Sequence, residues 1–227
     1  MTRPPTRARD AQDDLQAIYE QRFAGKEEYR KRVWQVLFAD FFESYTRGRR
    51  TVLDLGCGYG EFINQLQGAT RYGMDLNPDA GRHLNPDVQW LQQDSTHPWP
   101  LPDNSLDLVF TSNFFEHLPD ETSLRRTLEE AYRSLRPGGR LIALGPNIAY
   151  TGDAYWDFAD HYLALPDASL AAMVQSVGFR LERVIPRFLP FTMSDGRQYP
   201  LFFVRLYLRL PIAWRLFGRQ FLIVATK

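Results

Sequence analysis

The sequence predicts an α/β protein: a mostly parallel sheet with helices on both faces. Three features carry that expectation. Short apolar or β-branched runs recur along the chain, helical patterns separate them, and the first run ends in a glycine-rich turn. A length of 227 residues suits one domain with an appendage, and a content of 44% hydrophobic and 14% aromatic residues excludes disorder throughout. Lys and Arg number 27, as do Asp and Glu, so there is no chain-wide positive field and nucleic acid is not the expected partner. The single cysteine, Cys57, excludes an intrachain disulfide and an all-cysteine metal site, and a reducing cytoplasm is the expected location. No run approaches the ~18 uncharged apolar residues of a spanning helix, and no apolar core of a signal peptide follows the first arginines.

Taken in order, residues 1–12 hold two prolines and three arginines without apolar periodicity and read as a mobile tail. Across 13–45, Leu15, Ile18, Tyr19, Phe23, Tyr29, Val33, Leu37 and Phe41 recur at threes and fours, an N-terminal helical cover. The main domain follows over 46–227. Strands are expected at Thr51–Leu55, Arg71–Asp75, Val88–Leu91, Leu106–Phe110 and Arg140–Leu144. Helices are expected at Glu61–Gln67, Asp79–Leu84 and Glu121–Leu135, the last stopped by Pro137-Gly138-Gly139. An aromatic lid, 150–165, leads into a helix at Asp167–Val177 that ends at Gly178 in an αL stop. Phe179–Ile185 and Gln220–Thr226 supply a sixth and a seventh strand.

The chemistry centres on Val52-Leu-Asp-Leu-Gly-Cys-Gly-Tyr-Gly60. Gly56, Gly58 and Gly60 permit positive φ and a close approach of backbone to ligand, against the plain alternative of a tight turn with no ligand. The spacing is G-x-G-x-G, one residue short of the dinucleotide fingerprint, and Asp54 precedes it by two. A carboxylate there repels a pyrophosphate and suits an ammonium. Asp75, 75 − 56 = 19 residues past Gly56, is placed to accept from two ribose hydroxyls, a position that fits NAD equally well. Asp94, after the third strand, can accept from an adenine amino group. The pocket therefore wants a cationic nucleoside.

These residues resemble the class I S-adenosylmethionine-dependent methyltransferases, in their small-molecule branch (methyltransferase type 11-like). VLDLGCGYGEF is similar to the family's first motif and GMDLNP to its second. QQDSTHPWPLPDNSLDLVFTSNFFEHLPD resembles the third and fourth, and LEEAYRSLRPGGRLIALGPN the segment after them. The resemblance covers about 51–147. It implies a Rossmann-like seven-stranded sheet whose last strand runs antiparallel between strands five and six, with S-adenosyl-L-methionine as cofactor. It further implies that Asp54 and the backbone from Gly56 through Cys57 and Gly58 to Gly60 hold the methionine moiety. Asp75 would take the ribose, Leu76 would lie against adenine, Asp94 and Ser95 would meet the adenine edge, and Asn113 and Phe114 would border the sulfonium. Cys57 is read as a small loop residue, since no cation is evident to activate it as a nucleophile.

Methyl transfer from a sulfonium is an in-line displacement, so positioning, desolvation and removal of a proton from the acceptor suffice. His117, just past the fourth strand, is the better-placed base and His161 the second. The alternatives are that His117 only orients its loop and that His161 is a packed lid residue. Some relatives that methylate phenolic hydroxyls hold a divalent metal with a similar Glu-His pair, here Glu116 and His117; two adjacent ligands are too few, and no metal is assigned. His83 and His97 read as surface positions.

Segment 201–219 holds four arginines and no acid. At ~100° per residue the other three fall at about 40°, 280° and 320° from Arg205, opposite Phe203, Leu206, Tyr207, Leu210, Trp214 and Phe217, with Pro211 interrupting. The segment is expected either to pack this apolar face on the sheet or a second subunit, or to meet anionic lipid at the inner face of the membrane. Tyr29, Arg30 and Arg32 belong to a helix that either closes over the cofactor or simply packs. The expected activity is O-methylation of a small-molecule, glycan or lipid-linked acceptor. An NAD-dependent oxidoreductase and a non-catalytic methyltransferase-like partner subunit remain the rivals, and the oligomeric state is not read from the sequence.

Overall fold

The computed structural model describes residues 27–191 and 198–227. The tail read at 1–12 and the first part of the helical cover, 13–26, lie outside the described residues. Seven strands form one sheet in the order β3-β2-β1-β4-β5-β7-β6, with β7 antiparallel to both β5 and β6 and the other pairs parallel. They are β1 (Thr51–Leu55), β2 (Thr70–Asp75), β3 (Val88–Gln92), β4 (Leu106–Ser112), β5 (Leu135–Pro146), β6 (Arg180–Ile185) and β7 (Gln220–Thr226). Strand order reverses between β1 and β4, which leaves a crevice outside their carboxyl ends. The glycine loop and Asn113–His117 both emerge there.

The sheet is covered on both faces, so its central strands β1, β4 and β7 are buried at nearly every position. Leu53, Leu55, Val109, Leu141, Ala143, Ile223 and Ala225 face one core, closed by α2 (Glu121–Ser134) and α3 (Asp167–Val177) through Leu124, Leu128, Leu170 and Val174. Val52, Leu108, Phe110, Ile142, Leu144, Leu222 and Val224 face the other. Period-two alternation sorts the two sets, and each fully buried aliphatic side chain contributes about 1.5–3 kcal/mol. Helix α2 begins where expected because Asp120 caps it, accepting from the Ser123 N–H. Helix α3 ends at Gly178, whose φ of 117° gives the expected αL stop.

The second face is closed unusually. The expected helices at Glu61–Gln67 and Asp79–Leu84 do not form; 3-10 turns stand there, at Ile63–Gln65 and Ala80–His83. Gly60 and Gly68 leave only seven residues between them, too few for a stable helix unless packing supplies it. The Asn64 side chain is also diverted outward, donating to the His83 carbonyl and accepting from the Asn85 N–H. Cover comes instead from α1 (Glu27–Leu37), which runs on through a π turn (Phe38–Phe42) into a last α turn (Glu43–Thr46). The π turn inserts one extra residue, so Val33, Leu37 and then Phe42, rather than Phe41, are fully turned inward.

The rest comes from the connection between β6 and β7, which carries α4 (Leu201–Arg209) and α5 (Pro211–Phe217). Pro211 breaks the segment into two helices, as its fixed φ and missing N–H require. The apolar face does not pack as a unit. Leu208, Trp214 and Tyr207 turn into the core, whereas Phe203, Leu206, Leu210 and Phe217 are exposed. Arg205 and Arg209 reach Asp40 of the π turn at 3.3 and 3.5 Å.

Candidate active site

The loop after β1 is built around positive φ: Gly56 at 68°, Gly58 at 49° and Gly60 at 74°. A Cβ on Gly56 would stand 2.5 Å from the Phe114 ring, so glycine there is required by a close approach as well as by conformation. Asp75, at the end of β2, holds the loop in place: one carboxylate oxygen accepts from the Gly58 N–H and the other from the Asn77 N–H, both at 2.9 Å. Burial pushes the Asp75 carboxyl up, and these two N–H groups pull it partly back. Cys57 is buried in the same turn, and burial, with Asp54 and Asp75 nearby, pushes its thiol well up, which suits a packed loop residue and not a nucleophile.

A cavity of about 570 Å³ opens at the crevice between β1 and β4. Asp54 lies at its floor, 3% exposed, accepting from the Ile63 N–H. Burial first, and then the charge of Glu61, push the Asp54 carboxyl well above the usual carboxylate range. Glu61 on the wall pairs at 2.6 Å with Arg30 of α1, the one arginine or lysine among the described residues that line the cavity. This end of the cavity brings two acids, Asp54 and Glu61, together with one guanidinium, Arg30.

The far end carries Asn113, Glu116, His117 and His161. Asn113 sits at φ 51°, a left-handed conformation that Asn tolerates, and its N–H donates to the Leu144 carbonyl, which turns the chain away from β4. His117 Nδ1 lies 2.8 Å from the Asp160 carbonyl oxygen and 3.3 Å from an Asp160 carboxylate oxygen. Nδ1 faces only acceptors and is placed to donate to them, and Nε2 lies on the Glu116 side, 4.0 Å from that carboxylate. His161 is buried between Phe158, stacked at 4.9 Å, and Tyr155, edge-on at 4.8 Å. One ligand atom each from Glu116, His117 and His161 lies within 4.8 Å of the others, a set of nitrogen and oxygen donors able to hold a divalent cation.

Residues 53–143 match a family described as a methyltransferase domain. A probable S-adenosylmethionine-dependent methyltransferase of Mycolicibacterium smegmatis is 29% identical over 59% of this chain and 53% of its own length. A ubiquinone/menaquinone biosynthesis C-methyltransferase of Dinoroseobacter shibae is 28% identical over 65% and 72%. The crystal structure of an S-adenosylmethionine-dependent methyltransferase from Archaeoglobus fulgidus superposes with a TM-score of 0.67 at 24% identity, covering 90% of this chain and 99% of that one. Residues 53–143 carry the methyltransferase-domain match, in a fold shared with that crystal structure. The chain spans about half the length of the first of these relatives.

The residues singled out from the sequence divide into two groups. Asp54, Gly56, Cys57, Gly58, Asn113, His117 and His161 line the cavity. Gly60, Asp75, Leu76, Asp94, Ser95 and Phe114 do not. Asp75 and the exposed Leu76 lie beyond its edge, past the loop they support. Asp94 turns back on its own chain, accepting from the N–H and hydroxyl of Thr96, and Ser95 is buried against Thr127 of α2. Phe114 packs over Gly56. The sequence reading missed Glu61, whose signal was an acid directly after the third glycine, and the wall that α4 supplies through Val204 and Tyr207, which had no local signal.

Proposed function

We propose that the protein transfers a methyl group from S-adenosyl-L-methionine to an oxygen of a small, largely apolar acceptor, with a lipid-linked compound preferred over a glycan. What supports this reading is one cavity with carboxylates at Asp54 and Glu61 and a histidine at its far end, His117, whose contacts to Asp160 are made through Nδ1 and not Nε2. Bound there, the cofactor's ammonium would face Asp54 and its carboxylate Arg30, with the sulfonium between the glycine loop and Asn113. The cofactor would supply the electrophilic methyl group when bound, and His117 Nε2 would take the proton that the acceptor hydroxyl gives up. His161, stacked between Phe158 and Tyr155, holds the lid against that ring at 5.2 Å, a positioning role.

A second reading keeps the same reaction and lets Glu116, His117 and His161 hold a divalent cation, favoured by the convergence of their ligand atoms within 4.8 Å. A bound cation would supply Lewis acidity to the acceptor hydroxyl. Turnover lost on chelation and regained with one added metal would select this reading over the histidine base. The test of the main proposal is calorimetry with S-adenosylmethionine, S-adenosylhomocysteine and NAD, followed by a screen of extracts for compounds that gain label from methyl-labelled cofactor. Binding of NAD alone would establish the oxidoreductase rival. Tight cofactor binding with no labelled product from any extract would favour the partner-subunit rival.

A further inference from the structure

An exposed apolar surface adjoins the cavity mouth. Of twelve large hydrophobic side chains exposed among the described residues, seven lie between Phe202 and Phe217. Phe202, Ile212, Leu216 and Phe217 are each more than 60% exposed, at 68, 62, 63 and 62%. Scattered exposed hydrophobics need no explanation, but this many in one short stretch of two helices do.

The order of side chains around α4 is informative. At ~100° per residue from Arg205, Arg209 lies near 40°, then Phe202, Leu206, Leu210 and Phe203 run from about 60° to 160°. Tyr207, Val204, Leu208 and Leu201 follow from about 200° to 320°. The last group is the one that packs against the core. The helix therefore has three sectors: arginines, an uncovered apolar stripe, and a packed side. Helix α5 repeats the arrangement, with Trp214 inward and Arg215, Leu216, Ile212 and Phe217 exposed. A helix with basic groups flanking an apolar stripe, and no acid, suits the boundary of an anionic bilayer, where guanidinium groups sit at headgroup level and the stripe enters the acyl region.

The stripe is also continuous with the cavity. Phe203 and Phe217 are more than half exposed and line the cavity at the same time. Apolar side chains of the stripe thus form part of the cavity wall, on which His117 also lies.

We propose that α4 and α5 dock on an anionic membrane surface and that the methyl acceptor enters from the lipid phase between Phe203 and Phe217. The docking stands on its own, and the acceptor route rests on the methyltransferase reading above. The structure assigns the contact to Phe202, Leu206, Ile212 and Leu216, with Arg215 and Arg219 as its electrostatic part.

The test is sedimentation of the full chain with vesicles of phosphatidylcholine alone or with phosphatidylglycerol, alongside S-adenosylhomocysteine binding in solution. Wild type is expected to sediment with the anionic vesicles, and less so as salt is raised. Paired changes Ile212→Glu and Leu216→Glu, outside the cavity, are expected to cut the bound fraction about tenfold or more while leaving S-adenosylhomocysteine affinity unchanged. Should those glutamates impair folding, Arg215→Glu with Arg219→Glu is expected to reduce binding to anionic vesicles to the level seen with phosphatidylcholine. No sedimentation of wild type at low salt, or equal sedimentation of both paired variants, overturns the docking. A wild-type dimer that the Ile212→Glu, Leu216→Glu pair dissociates, without vesicle binding, gives the stripe to a second copy of the chain instead. Loss of S-adenosylhomocysteine binding in wild type with vesicle binding intact would sink the cofactor reading and leave the surface standing.

Discussion

Asp54 is the residue whose substitution should move binding and stability in opposite directions. Its carboxyl is buried at the cavity floor beside Glu61 and is pushed well above the usual carboxylate range, so the charged form costs the ligand-free protein free energy. Asp54→Asn keeps the shape and the acceptor for the Ile63 N–H while removing that cost. Each unit by which the folded value is raised is worth about 1.4 kcal/mol, and in a chain of this size 1 kcal/mol moves Tm by about 2–4 °C. Tm at neutral pH should therefore rise. In S-adenosylhomocysteine binding the same change removes a charge-assisted hydrogen bond to the ammonium, worth about 1.5–3 kcal/mol, and Kd should rise about 10- to 150-fold. The pH dependence has a definite sign. Because the folded value lies above the unfolded one, the contribution of Asp54 to stability is fully present below the unfolded value and is lost as pH rises through the folded value. An ammonium ligand lowers the Asp54 value, so binding releases a proton and affinity climbs with pH across the same window. Calorimetry in buffers of different ionisation enthalpy reads the proton, and thermal melts of both proteins read the stability. An Asn variant that binds as tightly as wild type would refute the placement of the ammonium at Asp54, and one that melts lower at neutral pH would refute the burial cost assigned to its carboxyl.

Three further outcomes test the remaining parts of the site. Gly56→Ala places a methyl group 2.5 Å from the Phe114 ring at a φ of 68°, and should cost about 2–4 kcal/mol, read as a Tm lower by several degrees with cofactor affinity reduced. His117→Gln should lower kcat about 10²- to 10⁴-fold while S-adenosylhomocysteine affinity changes less than twofold; a weakened Kd with unchanged kcat would make the ring a loop support and not a base. Arg30→Met should weaken S-adenosylhomocysteine at least about tenfold through the lost carboxylate contact. The same variant should bind 5′-deoxy-5′-methylthioadenosine, which lacks that carboxylate, as wild type does; equal losses for both ligands would mean that α1 only covers the site.

What could be read from the sequence, and what could not, divides by the range of the forces involved. The glycine loop was legible because positive φ at 56, 58 and 60 restricts the residue type, and that restriction is written locally. Gly178 announced the end of α3 for the same reason, and the alternation of apolar strands with helical segments announced a sheet buried on both faces. The missing helix at 61–67 was not legible. Its apolar spacing is helical, but Asn64 spends its side chain on His83 and Asn85, partners about 20 residues away that local periodicity does not contain. Asp94 and Ser95 show the converse: each is engaged by a neighbour, Thr96 and Thr127, and neither lines the cavity. The segment 201–219 shows why amphipathicity alone is an incomplete guide. A helical wheel finds its arginine and apolar arcs without saying which part of the apolar arc meets protein. That choice lies in the packing of Leu201, Val204, Tyr207 and Leu208 against the core, beside which Asp40 of the π turn meets Arg205 and Arg209. With that packing set, Tyr207 and Leu208 point inward, and Phe202, Phe203 and Leu206 are left outside at the rim of the cavity. Asp40→Asn should therefore loosen α4 without touching the cavity floor. If the acceptor does arrive through that rim, this variant should raise KM for a lipid-borne acceptor more than for a soluble analogue, with S-adenosylhomocysteine affinity unmoved; an equal change in both KM values would detach the packing of α4 from acceptor entry.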